Sequence, residues 1–425
     1  MRKNTSKIFL FLDKFLSPPP NFVLLNYNDR LKHYFIQIFK SNNTLLDILK
    51  FLRYFFLFIL SYLLLPISFI LKIFNFKFIN IDLSQIGSLT YLDLLIRESL
   101  IKKNIKKYRT FALASYFSDG NSYLINLYSE YVVFVRNPFL KFFLSPFFMS
   151  ILFEDNSFKY DMVNHTSNKS HKIWNDYFLV SKGKNLIEFP AADRDRIKKL
   201  LNPYIKKDKF VVLHVRDQFF YKRKSIRDAD INTYKNTIIF LINTGYSVVR
   251  LGDANSYNIE FNLGNNFFDY SKFKNKSPEI DIYLLSHCNF FIGCSSGPAD
   301  VPKLFGVNSC NVNHYTLPNA FNFLHNDLTS IKKFKYKNNN KIVPYEKLLE
   351  DPLSKNPSSS TLNKLGIYVE DNSPEEILYT VKEFIDRRRS NPKLQIIAKS
   401  KLNKYNYGVN AAGNLSTKMC EILLN

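Results

Sequence analysis

The run Phe210–Val215, FVVLHV, constrains this chain more than any other feature. Apart from His214 it is apolar and β-branched at odd and even positions alike. Both faces of such a strand must be buried, as in the middle of a parallel sheet covered by helices. The strand runs straight into His214-Val215-Arg216-Asp217. Alternation puts His214 and Arg216 on one face. Polar groups at the carboxyl end of a parallel strand lie where open α/β sheets bind ligands. An arginine there can hold a diphosphate through two N–H donors. The competing reading of Arg216 is a structural ion pair with a helix. Function carries more weight, because His and Arg at the end of an apolar strand are otherwise costly to bury.

A basic loop from Gln218 to Arg227 follows. Asp230 is placed to cap a helix over 231–243, and Gly245 to end it. Tyr246–Leu251 is the next strand and closes in Gly252-Asp253. Residues 210–253 therefore form one β-loop-α-β unit. Asp230 reads as a cap and not as a catalyst.

The same grammar recurs downstream. Ile280–Ser286 reads as a short helix, Asn289–Gly293 as a strand, Cys294-Ser295-Ser296-Gly297-Pro298 as a small-residue turn, and Ala299–Phe305 as the start of a helix. Free backbone N–H groups and the helix dipole would both point at that turn, which makes it an anion site. The hydroxyls of Ser295 and Ser296 add donors, and a capping role for them is compatible with this. Asp300 falls in the first helical turn, where carboxylates are favoured anyway; a ribose contact is the functional alternative. His287 and His314 are as well explained by packing as by ligand binding.

Upstream, Phe78–Leu83 is a short β-type run that leads through a turn holding Gly87 into a helix over Tyr91–Lys103. Thr110–Tyr116 and Tyr131–Phe134 are strand-like, and Asn137–Phe153 is apolar and helical in length, interrupted by Pro146. This is a first α/β unit. Gly87 could admit backbone close to a substrate or merely supply an unusual φ. Asp93 and Glu98 are the nearest carboxylates for a catalytic base.

Residues Tyr54–Leu71 are uncharged and almost wholly apolar, close to the ~20 residues that span a bilayer. Basic residues stand on both sides, and Pro66 interrupts the run. Met1–Asn80 holds eleven Lys/Arg and three Asp, 11 − 3 = +8. A spanning helix, a buried core helix and an interfacial or re-entrant hairpin all remain open. Cationic flanks favour the last, lying against anionic headgroups. Ser17–Asn21, with three prolines, reads as a hinge.

The formal charge of +23 would suit a nucleic-acid partner. The cations are scattered, however, with no dense block interleaved with aromatics, so an anionic membrane and an anionic nucleotide explain them better. Four cysteines without Cys-x-x-Cys spacing, and seven histidines without His-x-x-x-His, give no metal site. Lys337–Ser360 reads as an insertion or long loop. Ser373-Pro374-Glu375-Glu376 starts a helix to about Arg388.

These residues resemble a bacterial family of glycosyltransferases encoded with surface-polysaccharide genes. The likeness covers most of the chain after Phe78. It rests on Gln85-Ile86-Gly87, Leu213–Asp217, Arg227–Ile231, Gly245-Tyr246 with Arg250-Leu251-Gly252, Asp281–Leu284 before Ser296-Gly297, Gly366-Ile367 and Asn372–Ile377. The His214-x-Arg216 element is also similar to that of fucosyltransferase-type enzymes, where the arginine contacts the donor diphosphate. Ser88 stands where the family usually has a histidine.

The resemblance implies a GT-B-like fold and sugar transfer from an activated donor. The expected fold is α/β, two Rossmann-like domains with a hydrophobic helical amino-terminal extension. Its parts would be residues 1–77 (membrane-associating), 78–205 (acceptor domain), 206–390 (nucleotide-sugar domain) and a tail, 391–425, able to cross back to the first domain. Substrate contacts are expected from His214, Arg216, Arg227, Gly252, Asp253, Ser295, Ser296, Gly297, Asp300 and Gly87. A nucleotide sugar is the donor substrate, a glycan or lipid-linked glycan the acceptor, and no cofactor, metal or nucleic acid is expected. The place would be the cytoplasmic face of the inner membrane, peripheral or monotopic. A sugar-nucleotide epimerase and a non-catalytic member of a polysaccharide-assembly complex are the alternatives.

Overall fold

The computed structural model describes residues 44–424, apart from 80, 82, 104–108, 115–119, 154–167, 219–223, 260, 262, 319, 321–322, 356, 388–389, 406 and 408–410. The proposed hinge Ser17–Asn21 and the middle of the basic loop after Gln218 lie outside the described residues. The protein is mixed α/β with parallel sheets, and it divides into two compact units, 1–162 and 163–425.

The first unit carries a three-stranded parallel sheet, β1 (Lys77–Ile79), β2 (Thr110–Leu113) and β3 (Val133–Val135), in that order. Helices Leu89–Ile101 and Ser122–Leu127 form the crossovers. Phe78 on β1 packs against Phe111, Phe147, Phe148 and Phe153, so the aromatic wealth of this region becomes core. Before the sheet, helix Thr44–Leu63 breaks at Leu64 and helix Leu65–Ile73 begins, with Pro66 in its first turn. Pro66 has no N–H to give to the preceding turn, which is why the break falls here. The segments Leu52–Leu63 and Leu65–Ile73 meet at 61°. Among the described residues no single helix is long and apolar enough to cross a membrane.

The second unit is built on seven parallel strands: β4 (Phe210–His214), β5 (Ser247–Leu251), β6 (Phe267–Asp269), β7 (Phe290–Gly293), β8 (Ser309–His314), β9 (Leu328–Ile331) and β12 (Asn414–Leu415). Their order is β12-β9-β8-β7-β4-β5-β6. β4, the strand read first from the sequence, is central. Val211 and Leu213 bury one face against Ile238, Leu241, Ile377 and Val381 of two helices, Lys235–Asn243 and Pro374–Ile385. The expected capping residues are in place, although Asp230 caps a 3₁₀ turn, Ile231–Tyr234, that leads into helix Lys235–Asn243. Asp230 Oδ1 accepts the Asn232 N–H at 2.9 Å, Gly245 takes φ +97°, and Ser373 with Glu376 forms a reciprocal capping box.

Two expectations are corrected. Ala299–Phe305 is not an α-helix but two 3₁₀ turns, Gly297–Asp300 and Pro302–Phe305. Pro302 has no N–H to donate to Pro298, and Gly306 in the left-handed region ends the second turn at once. The segment 337–360 is not one long loop. β10 (Lys333–Tyr336) and β11 (Ile367–Glu370) pair antiparallel around short helices Tyr345–Leu348 and Ser359–Lys364, and Val343, Leu348, Leu349 and Leu353 are core residues. The tail packs within the second unit: β12 pairs with β9, and Ala398, Leu402, Met419 and Cys420 join the core there.

Candidate functional site

The central strands end together. In the register of β4 with β7, His214 stands opposite Gly293, so the HVRD and CSSG segments leave the sheet side by side. A side chain at Gly293 would collide with the Phe291 ring, which explains the glycine. Next to it the buried Cys294 Sγ accepts the Arg216 N–H at 3.2 Å. Burial pushes that thiol's pKa up, so it acts as a neutral acceptor.

His214 Nδ1 lies 3.0 Å from Ser296 Oγ. The imidazole is half-buried, and burial is the main cause that lowers its pKa to about 4; Arg216, Arg250 and Lys276 act the same way, and Asp217 opposes them. The ring is therefore neutral at pH 7. In the tautomer where Ser296 donates to Nδ1, the ring proton sits on Nε2, where it can be given to an anion. Of the three cations that disfavour an imidazolium, Arg216 and Arg250 are themselves paired, with Asp228 and Asp269.

Arg216 and Arg227 flank this pair. Arg216 Nε donates to Asp228 Oδ1 at 3.1 Å in a largely buried ion pair. Asp228 is held in turn: its Oδ2 accepts the Ser225 N–H at 2.6 Å, and its carbonyl accepts from Lys332 Nζ at 2.6 Å. The buried Lys332 also pairs with Asp371 at 2.6 Å. Arg227 Nε donates to the Ser295 carbonyl at 3.0 Å. Ser295 Oγ accepts the Tyr315 N–H at 2.6 Å.

The structure thus brings together His214, Arg216, Arg227, Ser295, Ser296 and Gly297. In the 3₁₀ turn Pro298 has no N–H and Ala299 gives its own to the Ser296 carbonyl at 3.2 Å. The amides of Ser296 and Gly297 are the turn's remaining donors. An extended helix dipole does not add to them, so any anion held here would rest on side chains more than the sequence implied.

The other predicted residues serve local structure. Asp253 Oδ1 accepts the Asn255 N–H at 2.9 Å and closes a turn, while the Gly252 carbonyl accepts from Lys276 Nζ. Asp300 pairs with Lys303 at 2.8 Å. In the first unit Gly87 lies in a single 3₁₀ turn, Ile86–Ser88. Asp93 is fully buried, 2.5 Å from Arg97 Nε and 3.1 Å from the Tyr128 hydroxyl, which donates to it. Glu98 pairs with Lys102 at 2.6 Å near the surface.

Sequence reasoning missed Asp228, Lys332, Asp371 and Arg250. Arg250 carried a signal, as a cation inside the apolar strand Tyr246–Leu251. Asp228 stood in plain view between Arg227 and Ala229. Lys332 and Asp371 meet only through the fold. Gly120 was missed as well: a Cβ there would lie 2.5 Å from Ile86 N and 2.6 Å from Gln85 C, so it seats the turn that precedes Gly87. Among the described residues no three His, Cys, Asp or Glu side chains converge as a metal site requires.

No family model and no curated protein matches the chain. Solved structures do. Escherichia coli ADP-heptose lipopolysaccharide heptosyltransferase II is 11% identical, with 74% of this chain and 100% of that one covered at a TM-score of 0.46. A glycosyl transferase family 9 protein of Veillonella parvula is 11% identical over 72% and 96%, at 0.39. The wall teichoic acid polymerase TagF is 10% identical over 53% and 78%, at 0.24. These are distant likenesses.

Proposed function

We propose that the protein is a glycosyltransferase that moves a sugar from a nucleotide-activated donor to a glycan or lipid-linked glycan at the cytoplasmic face of the inner membrane. The fold behind this reading is a GT-B-like pair of Rossmann-like domains, with the nucleotide sugar held by the second. The observation that carries it is the neutral His214 ring, bonded to Ser296 at the carboxyl edge of the parallel sheet and surrounded by Arg216, Arg250 and Lys276. Such a position attracts a diphosphate and can donate to it.

Departure of a nucleoside diphosphate leaves negative charge on the phosphate oxygens. Fixed donors and cations aimed at that charge lower the barrier without a metal or a cofactor. His214 Nε2–H, the Ser296 and Gly297 amides and the guanidinium of Arg216 are the groups for this. Asp228 fixes the Arg216 side chain before a ligand arrives.

A non-catalytic nucleotide-sugar-binding component is the second reading. It is favoured by the first unit, where Asp93 is locked in a core ion pair and Glu98 in a surface one, so neither weak candidate for a base stands ready.

Calorimetric titration with UDP, GDP, CDP and CMP tests the proposal, wild type beside Arg216→Ala. One nucleotide should bind, at least tenfold more weakly in the variant. No binding by any of the four to folded protein would remove the phosphate site. Product formation with the donor of the bound nucleotide then separates the two readings.

A further inference from the structure

Helices Thr44–Leu63 and Pro138–Met149 of the first unit share an apolar packing contact, helix Leu65–Ile73 adjoins the first of them, and all three carry exposed apolar side chains. Tyr54 and Leu57 of helix Thr44–Leu63 are buried against Met149 of helix Pro138–Met149, with Phe58 and Phe142 beside them. Other residues of the same helices face outward: Leu63 is 70% exposed, Ile73 62%, Phe139 61% and Phe143 68%. Large apolar side chains this exposed on three helices in contact exceed what a water-facing surface ordinarily tolerates. From Leu52 to Phe76 and from Pro138 to Phe153 the charged residues are Arg53, Lys72 and Lys141, all cations.

Cations lie beside the carboxyl end of the bent pair. Arg109 Nη1 donates to the Phe74 carbonyl at 2.7 Å, and its guanidinium lies over the Phe76 ring. Lys77 joins Arg109 through its backbone N–H at 2.7 Å, and Lys72 lies two residues before Phe74. Residues 52–76 and 138–153 give an apolar surface without acids, and with Lys72 and Arg109 beside it this matches the layering of an anionic leaflet, with acyl chains below and phosphates above. The 61° bend sets helix Leu65–Ile73 across the direction of its neighbour instead of prolonging it. Nine residues at 1.5 Å each reach about half of the ~30 Å hydrocarbon thickness, so this element suits one leaflet.

We infer that this three-helix face docks on one leaflet of an anionic bilayer. Phe139 and Phe143 of the α/β unit insert beside the bent pair, and Lys72 and Arg109 meet the headgroups. The membrane contact is thus shared with the first α/β unit and is not confined to the amino-terminal extension. The inference does not depend on the sugar-transfer reading, because nucleotide titration reports on the other unit.

Flotation of the full chain with vesicles tests it. Phosphatidylcholine alone is compared with phosphatidylcholine containing a quarter phosphatidylglycerol. Wild type should bind the mixed vesicles at least tenfold more tightly than the neutral ones. Phe139→Ser/Phe143→Ser should lose at least tenfold on mixed vesicles, with unchanged circular dichroism and melting temperature. Lys72→Glu should lose at least fivefold on mixed vesicles and little on neutral ones. Wild-type protein that binds neither vesicle, or a double variant that binds like wild type, overturns the inference. So does a lipid-free wild-type dimer that the double variant converts to monomer, since a second copy would then cover the face.

Discussion

The 3.0 Å contact between His214 Nδ1 and Ser296 Oγ joins the ends of β4 and β7. It makes a loop-borne hydroxyl part of the sheet edge, and it fixes the ring in the half-buried, cation-lined position that gives the site its character.

The ring makes stability depend on pH. Its pKa is about 4 when folded and 6.5 as an unperturbed group. Between those values the unfolded chain binds more protons, so the fold loses stability as pH drops from 6.5 and the loss is complete below 4. At pH 5 the difference is about 2 kcal/mol. Urea unfolding at pH 7.5 and pH 5 should show wild type losing about that much more than His214→Gln. Equal losses in the two proteins would show that the ring is not held neutral by the fold.

Asp228 acts through Arg216. Asp228→Asn removes a charge from a largely buried pair and should lower stability by about 1–3 kcal/mol. Nucleotide affinity should fall less than in Arg216→Ala, since the guanidinium stays but is less firmly set. If Asp228→Asn binds nucleotide as tightly as wild type, the orienting role is wrong, and calorimetry on both variants decides it.

Asp93 and Glu98 should behave oppositely. Asp93→Ala leaves Arg97 buried without its carboxylate and should cost about 3–5 kcal/mol. Glu98→Gln breaks an exposed i,i+4 pair and should change stability by less than about 0.5 kcal/mol. Thermal melts of the two variants provide the comparison. A stable, folded Asp93→Ala protein that binds nucleotide but transfers no sugar would return Asp93 to the list of catalytic groups.

Gly120→Ala should be among the more damaging single-methyl changes in the first unit. Its Cβ would meet backbone at Ile86 and Gln85, which cannot rotate away as a side chain would. A loss of about 1–3 kcal/mol is expected from such overpacking. A melt indistinguishable from wild type would mean that the Gln85–Ile86 turn moves freely and does not depend on this contact.

The central strand and its polar carboxyl end were legible because β4 is apolar on both faces until His214, and only a buried parallel strand tolerates that. Asp230, Gly245 and Ser373 announced their helix ends through local chemistry. The convergence of Arg227 on Ser295 was not legible in detail, since it spans 68 residues. Lys332 reaches Asp228 across 104, and no pattern around either residue predicts it. Pro298 and Pro302 did carry the signal against an α-helix after Gly297, and the pull of the strand-turn-helix pattern overrode it. The carboxylates of the first unit misled for the opposite reason. Asp93 shares a helix face with Arg97 four residues on, and that spacing already described a pair.

The edge strand β12 has a consequence for the newly made chain. It pairs with β9, yet residues 414–415 are synthesised after every other strand of that sheet. Until they emerge, β9 presents an open edge able to recruit strands from other chains. Clipping the tail would recreate that edge in the finished protein while leaving His214, Arg216 and Ser296 in place. Damage there would surface as aggregation of an otherwise binding-competent protein, and the last few turns of chain act as a guard on solubility.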